Sequence, residues 1–293
     1  MYNERNETIL GGMKMRNIDA QLITQTVKRL CIEANCQLPS DIKARIDKAL
    51  CAEPWEYARG ILEQITENYR IAENQNVPIC QDTGVACVFL KIGQDVHING
   101  NLEDAVNEGV RQGYGEGYLR KSVVRDPLDR INTGDNTPAM IYCELVNGDQ
   151  IEITVAPKGF GSENMSQIKM LRPSDGVEGV KAFVQKVVED AGPNPCPPIV
   201  VGVGIGGTFD KAAYLAKKAL LRPTDVANEN PFYANLEQEL LSLINASGIG
   251  AQGFGGQTTA LAVNIEAYPT HIAGLPVAVN INCHVTRHKT EVL

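Results

Sequence analysis

Three of the eight cysteines, Cys80, Cys196 and Cys283, lie where a thiol is not simply filling a helix or a sheet core. Cys80 closes Val77-Pro78-Ile79 and opens Gln81-Asp82-Thr83-Gly84, and Cys196 is bracketed by Pro195, Pro197 and Pro198. Cys283 ends an apolar run and precedes His284, Arg287, His288 and Lys289. A thiolate serves as a metal ligand when a stiff turn fixes it near positive charge or a metal. The three are too far apart for the compact CxxC spacing of a structural zinc site or the run of a ferredoxin. Spacing alone leaves open whether they converge.

The other cysteines read differently. Cys31, Cys36 and Cys51 fall on or beside amphipathic helical segments, and Cys87 and Cys143 fall inside strand patterns, so packed thiols are expected. The polar candidates also have plain readings: Asp82 before Thr83-Gly84 suits a turn, Arg120 suits a solvated helix end, and His271 suits a loop. Gly202-Val203-Gly204-Ile205-Gly206-Gly207 is not GxGxxG, and no ribose-binding acid follows at the right distance. Close packing of a strand on a helix explains those glycines, and nucleotide binding is not expected.

The elements that must hold these residues are legible from periodicity. Helical spacing covers Ile18 to Ile32, Pro39 to Cys51 and Pro54 to Ile71, with proline and acids at two of the starts. Then come a strand at Ala86 to Ile92, a helix at Leu102 to Tyr118, and a hairpin of Met140 to Val146 and Ile151 to Ala156 turning at Asn147-Gly148-Asp149. Helices follow at Val177 to Asp190, Asp210 to Leu220 and Asn235 to Ala246, with strands at Ile199 to Ile205, Thr258 to Ala267 and Leu275 to Ile281. The fold class is mixed α/β, a helical N-terminal region followed by α/β with mixed sheets around the cysteine-bearing loops. Residues 1–15 read as a flexible leader, and residues 16–293 as a single domain of one or two lobes that carries the candidate cysteines.

Composition bounds the partners. With 293 residues and 43% hydrophobic content the chain can bury a full core. Its formal charge of -8 gives no electrostatic reason to bind nucleic acid. No apolar run approaches the roughly 20 residues that span a bilayer, so no membrane partner is expected. Scattered cysteines without a dense disulfide spacing fit a reducing compartment, and a cytoplasmic location is expected.

Six segments carry a resemblance: PICQDTG at 78–84, INTGDNTPA at 131–139, PKGFGSENMS at 157–166, NPCPPIVVGVGIGGTFDKAA at 194–213, GAQGFGGQTTALAVNIE at 250–266 and PTHIAGLPVAVNINCHVTRH at 269–288. In this order, and over nearly the whole chain after Met15, they resemble the α-type half of the iron–sulfur-dependent class I fumarate hydratases. The resemblance implies that Cys80, Cys196 and Cys283 hold a 4Fe-4S cluster with one iron lacking a protein ligand, which acts as a Lewis acid on a small dicarboxylate. It implies Gln81, Arg120 and the loop at Gly161 as substrate-binding, and Asp82 and His271 as catalytic.

Single-chain members carry a second, C-terminal half, and this sequence ends at Leu293. A separate β subunit is therefore expected, in a dimer of αβ pairs. Hydration of fumarate to malate is the first expectation, and L(+)-tartrate dehydratase, which shares the cysteine framework, is the second. Mesaconate belongs in the same comparison. A non-catalytic iron–sulfur sensor is the reading from another class, and the polar set Gln81, Asp82, Arg120 and His271 speaks against it.

Overall fold

In the computed structural model, residues 7–10 and 13–293 are described. Part of the expected leader lies outside the described residues, and the rest contributes two short strands, β1 (Glu7–Leu10) and β2 (Met13–Asp19). Three helices follow: α1 (Ala20–Cys36), α2 (Ser40–Ala52) and α3 (Glu56–Gln75). Next come β3 (Val85–Gly93), β4 (Val96–Asn99), α4 (Leu102–Glu116), β5 (Met140–Val146) and β6 (Ile151–Lys158). A one-turn helix α5 (Phe160–Glu163), β7 (Gln167–Leu171), α6 (Gly176–Ala191), β8 (Ile199–Gly206) and α7 (Phe209–Ala219) continue the chain. It closes with α8 (Pro231–Asn245), β9 (Ala260–Tyr268), β10 (Leu275–Asn282) and β11 (Lys289–Val292). Mixed α/β architecture is what the sequence predicts and what is found.

The chain forms two compact units, neither a continuous stretch of sequence. Unit 1 takes residues up to 37, 72–158 and 287–293. Its four-stranded sheet runs β11-β6-β3-β5, and a three-stranded sheet runs β1-β2-β4. Helix α1 starts where the Asp19 carboxylate accepts the Gln21 N–H at 2.7 Å, and α4 starts where the Asn101 side chain accepts from Glu103 and Asp104. Their apolar stripes, with Ile23, Val27 and Leu30 on α1 and Val106 and Val110 on α4, share one core with Val88, Leu90, Ile151, Ile153 and Val155.

The expected hairpin of β5 and β6 is not formed. Instead β3 lies between them, parallel to β5 and antiparallel to β6. The first six residues of β3 are all buried, so its backbone groups need partners on both edges. The thiol expectations also divide: Cys31, Cys36 and Cys87 are buried, whereas Cys51 and Cys143 are exposed. Cys51 misses the buried stripe of Ile42, Ile46 and Ala49 on α2, and Cys143 faces solvent on the edge strand β5.

Unit 2 takes residues 38–71 and 159–286, around a sheet ordered β7-β10-β8-β9. All eight residues of β8 are buried because helices cover both of its faces. Val201, Val203 and Ile205 pack with Val184 and Val187 of α6 and with Leu236 and Leu240 of α8. The intervening glycines face α7, and a methyl group at Gly204 would collide with the Ala212 carbonyl. The glycine cluster is thus a helix-packing device, as the sequence predicts. Among the described residues, no helix is long and apolar enough to cross a membrane.

Candidate active site

In unit 1 the segment carrying Cys80 is fixed from several directions. The Ile79 N–H donates to the Asn35 carbonyl at the end of α1, at 3.0 Å. The loop then turns on itself: the Asp82 N–H points to the Cys80 sulfur at 3.4 Å, and the Gly84 N–H donates to Asp82 Oδ1 at 3.0 Å. Asp82 therefore does form the turn that its neighbours suggested. Gly84 closes that turn at φ +72°, with its α-carbon so near β6 that an added β-carbon would lie 2.7 Å from the Lys158 backbone.

The same loop is tied to the segment bearing Arg120. Thr83 Oγ1 donates to the Arg120 carbonyl at 3.0 Å. The Tyr114 hydroxyl, fully buried on α4, donates to the Thr83 carbonyl at 2.7 Å with a second, longer contact to the Gly84 carbonyl at 3.1 Å. Burial pushes the Tyr114 phenol far up, which keeps it protonated and donating. Asn136 Nδ2 also donates to the Gly84 carbonyl at 3.1 Å, and its Oδ1 accepts the Ser122 N–H at 2.7 Å. Cys80, Gln81, Asp82 and Arg120 are thus brought together in unit 1, with Cys80 and Asp82 half-buried and Gln81 and Arg120 exposed.

Unit 2 gathers the other two cysteines. Cys196 precedes β8 and Cys283 follows β10, and these strands are antiparallel neighbours with Val200 opposite Asn282. Both cysteines therefore stand at one end of the sheet. The turns also touch: His284 Nδ1 lies 3.0 Å from the Cys196 carbonyl, Gln252 Nε2 lies 3.2 Å from His284 Nδ1, and Gln252 donates to the Pro197 carbonyl at 2.8 Å. Cys196 is exposed at φ +52°, a conformation costly for a residue with a side chain and concentrated at functional positions. Gly161 reaches the same end, since a β-carbon there would sit 3.6 Å from the Asn194 carbonyl.

A charged clamp fixes the Gly161 loop. Glu163 accepts from Lys217 on α7 at 2.6 Å and from Asn280 on β10 at 2.7 Å, while Asn280 also donates to Ser166 at 2.9 Å. His271, by contrast, lies in the β9–β10 connection, exposed, with its Nδ1 accepting the Ala273 N–H. That connection is pinned to Gly207, just past the far end of β8, by the Gly207 N–H and Thr270 Oγ1. Eight residues of β10 at ~3.3 Å each separate it from the cysteine end.

Among the described residues no three His, Cys, Asp or Glu side chains gather closely enough to hold a single metal ion. Cys80 in unit 1 and Cys196 and Cys283 in unit 2 are partly or fully accessible thiols on turns, and thiolate is the donor type that iron–sulfur groups take. The supporting residues were less visible in the sequence. Thr83 and Asn136 lie inside the motifs at 78–84 and 131–139, but Tyr114 shows only helical spacing, and Arg287 stands out only as a charge after Cys283.

Known proteins resemble the chain over nearly its full length. The pattern of the family described as fumarate hydratase (fumerase) matches residues 24–292. The putative L(+)-tartrate dehydratase subunit alpha of Methanocaldococcus jannaschii is 47% identical over 272 residues, 90% of this chain and 95% of that one. The L(+)-tartrate dehydratase subunit alpha of Escherichia coli UTI89 is 33% identical, over 92% of this chain and 89% of its own. The same subunit of strain K12 is 32% identical over the same shares.

Proposed function

Because the chain belongs to the fumarate hydratase family of hydro-lyases, we propose that it is the α subunit of an L(+)-tartrate dehydratase, removing water from a hydroxylated dicarboxylate. The observation that carries this reading is the 47% identity, over 95% of its length, to a subunit named for that reaction. Fumarate hydration is the second reading, supported by the family's description and by the six motifs. This order inverts the one expected from the sequence, because both groups of relatives carry the tartrate name.

Cys80, Cys196 and Cys283 would hold a 4Fe-4S cluster, which when bound supplies a Lewis acid for a substrate carboxylate and hydroxyl. Arg120, exposed beside the Asp82 loop, pairs with a carboxylate through its planar fork of N–H donors. Gln81 supplies a neutral hydrogen bond. Asp82 accepts the Gly84 N–H on Oδ1, which fixes the carboxylate's orientation, and that carboxylate would hold or pass a proton. The Gly161 loop is set by the Glu163 clamp at the end of the sheet that carries Cys196 and Cys283. His271 enters only through the resemblance, since in unit 2 it stands at the opposite end.

The relatives' names as α subunits support a β subunit completing the site, in a dimer of αβ pairs. The test is anaerobic iron and sulfide reconstitution of the αβ pair, followed by kcat/KM for L(+)-tartrate, malate, fumarate and mesaconate. Tartrate should lead. A clear preference for fumarate and malate would install the second reading, and stoichiometric zinc or no metal under those conditions would remove the cluster.

A further inference from the structure

Arg287 is a buried cation that makes no ion pair among the described residues. The residue is 4% exposed, it belongs to unit 1, and its Nη2 donates to the Asp82 carbonyl. Its Nε and Nη1 are buried without a hydrogen-bond partner, and no ion pair involves it among the described residues. Its guanidinium is close enough to act on Cys36 and Tyr114, lowering the pKa of each against the larger upward push of burial. A buried guanidinium is stable only where hydrogen bonds and a negative group compensate its lost hydration. Here the side-chain hydrogen bond that it makes among the described residues goes to the backbone of the loop that carries Cys80 and Asp82.

We propose that Arg287 is the positioning residue of the Cys80–Gly84 loop: it grips the Asp82 carbonyl and places a fixed positive charge against the loop when that loop carries its anionic load. The grip itself is a property of unit 1 alone, whereas its effect on iron uptake and turnover rests on the reading of Cys80 as a ligand and Asp82 as a substrate-facing acid. Arg287 acts through those residues and is not assigned a contact with substrate.

The experiment compares Arg287→Met and Arg287→Lys with the parent αβ complex, by amide hydrogen exchange and by iron content after anaerobic reconstitution. In Arg287→Met the amides of Asp82 and Gly84 should exchange about tenfold faster or more, the loss expected for one hydrogen bond to a charged group. Amides in the β3–β6 ladder should stay within twofold. Lysine should recover part of the iron content by restoring charge, but less of the exchange protection, because it lacks the fork. Unchanged exchange at Asp82 and Gly84 in either variant would overturn the proposal, as would uniform loss of protection across unit 1. If the methionine variant does not fold, the lysine variant carries the same comparison. If the parent itself takes up no iron, the cluster reading falls while the exchange data still decide the role of Arg287.

Discussion

Tyr114→Phe removes one hydroxyl from the interior of unit 1, and its cost can be worked out from the acceptors it leaves. The hydroxyl has one proton, aimed mainly at the Thr83 carbonyl at 2.7 Å and shared with the Gly84 carbonyl at 3.1 Å. Phenylalanine fills the same space, so the cost is that of the Thr83 carbonyl losing this donor and the Asn35 side chain losing this acceptor, about 1–3 kcal/mol. The Gly84 carbonyl keeps Asn136. Asn136→Ala alone removes that donor and the acceptor of the Ser122 N–H, while Gly84 retains the tyrosine. Only the double variant strips the Gly84 carbonyl of both donors, so its destabilisation should exceed the sum of the singles by about 1–3 kcal/mol. Urea unfolding at one fixed protein concentration measures the four proteins, with an unchanged slope certifying that stability alone has moved. Additivity within about 0.5 kcal/mol would refute the shared acceptor and, with it, the frame linking Tyr114, Asn136 and the loop.

Two further outcomes follow from positions beside this frame. Gly84→Ala combines a left-handed φ, worth about 1–2 kcal/mol for a residue with a β-carbon, with a clash 2.7 Å from the Lys158 backbone; the variant should unfold at lower urea than Tyr114→Phe, and equal midpoints would sink the steric reading. Burial favours the neutral form of Asp135, but hydrogen bonds from the Thr137 side chain and backbone and from Arg111 outweigh it and hold the pKa at about 2. A folded pKa below the unfolded value of about 3.9 means stability that is fully present above that value and lost as pH falls from about 4 towards 2. The stability difference between parent and Asp135→Asn should therefore be constant near neutrality and shrink across that acid window, whereas a flat difference would exclude the linkage.

The sequence exposes elements in which one period dominates. The stripes of α1, α4 and α6 and the fully apolar run of β8 are visible because each buries a defined face or both faces. Pairing is harder to read, as β5 and β6 show: two good strands joined by a turn suggest a hairpin, yet the long-range demand of β3 for two neighbours prevails. Strands β4, β7 and β11 are four or five residues long with half-exposed patterns, too short for alternation to stand out. In the candidate site, turn-forming context singles out Cys80, Cys196 and Cys283. Tyr114 and Arg287 escape notice because a buried tyrosine and a lone arginine look like any other until their hydrogen-bond partners, remote in sequence, are known.

Strand β11 has a consequence for the order in which the protein can be made. It pairs with β6, where the Thr154 and Thr290 hydroxyls meet at 2.8 Å across 136 residues of chain. Between those two strands the ribosome must synthesise residues 159–286, the larger stretch of unit 2. Throughout that interval Ile151–Lys158 is an unpaired sheet edge with a mostly buried face, the kind of surface that recruits strands from other chains. Translation that stalls before residue 289 therefore leaves unit 2 free to fold while β6 stays adhesive. The sheet is sealed only after residues 159–286 have emerged, so a pause within that stretch lengthens the exposure of β6.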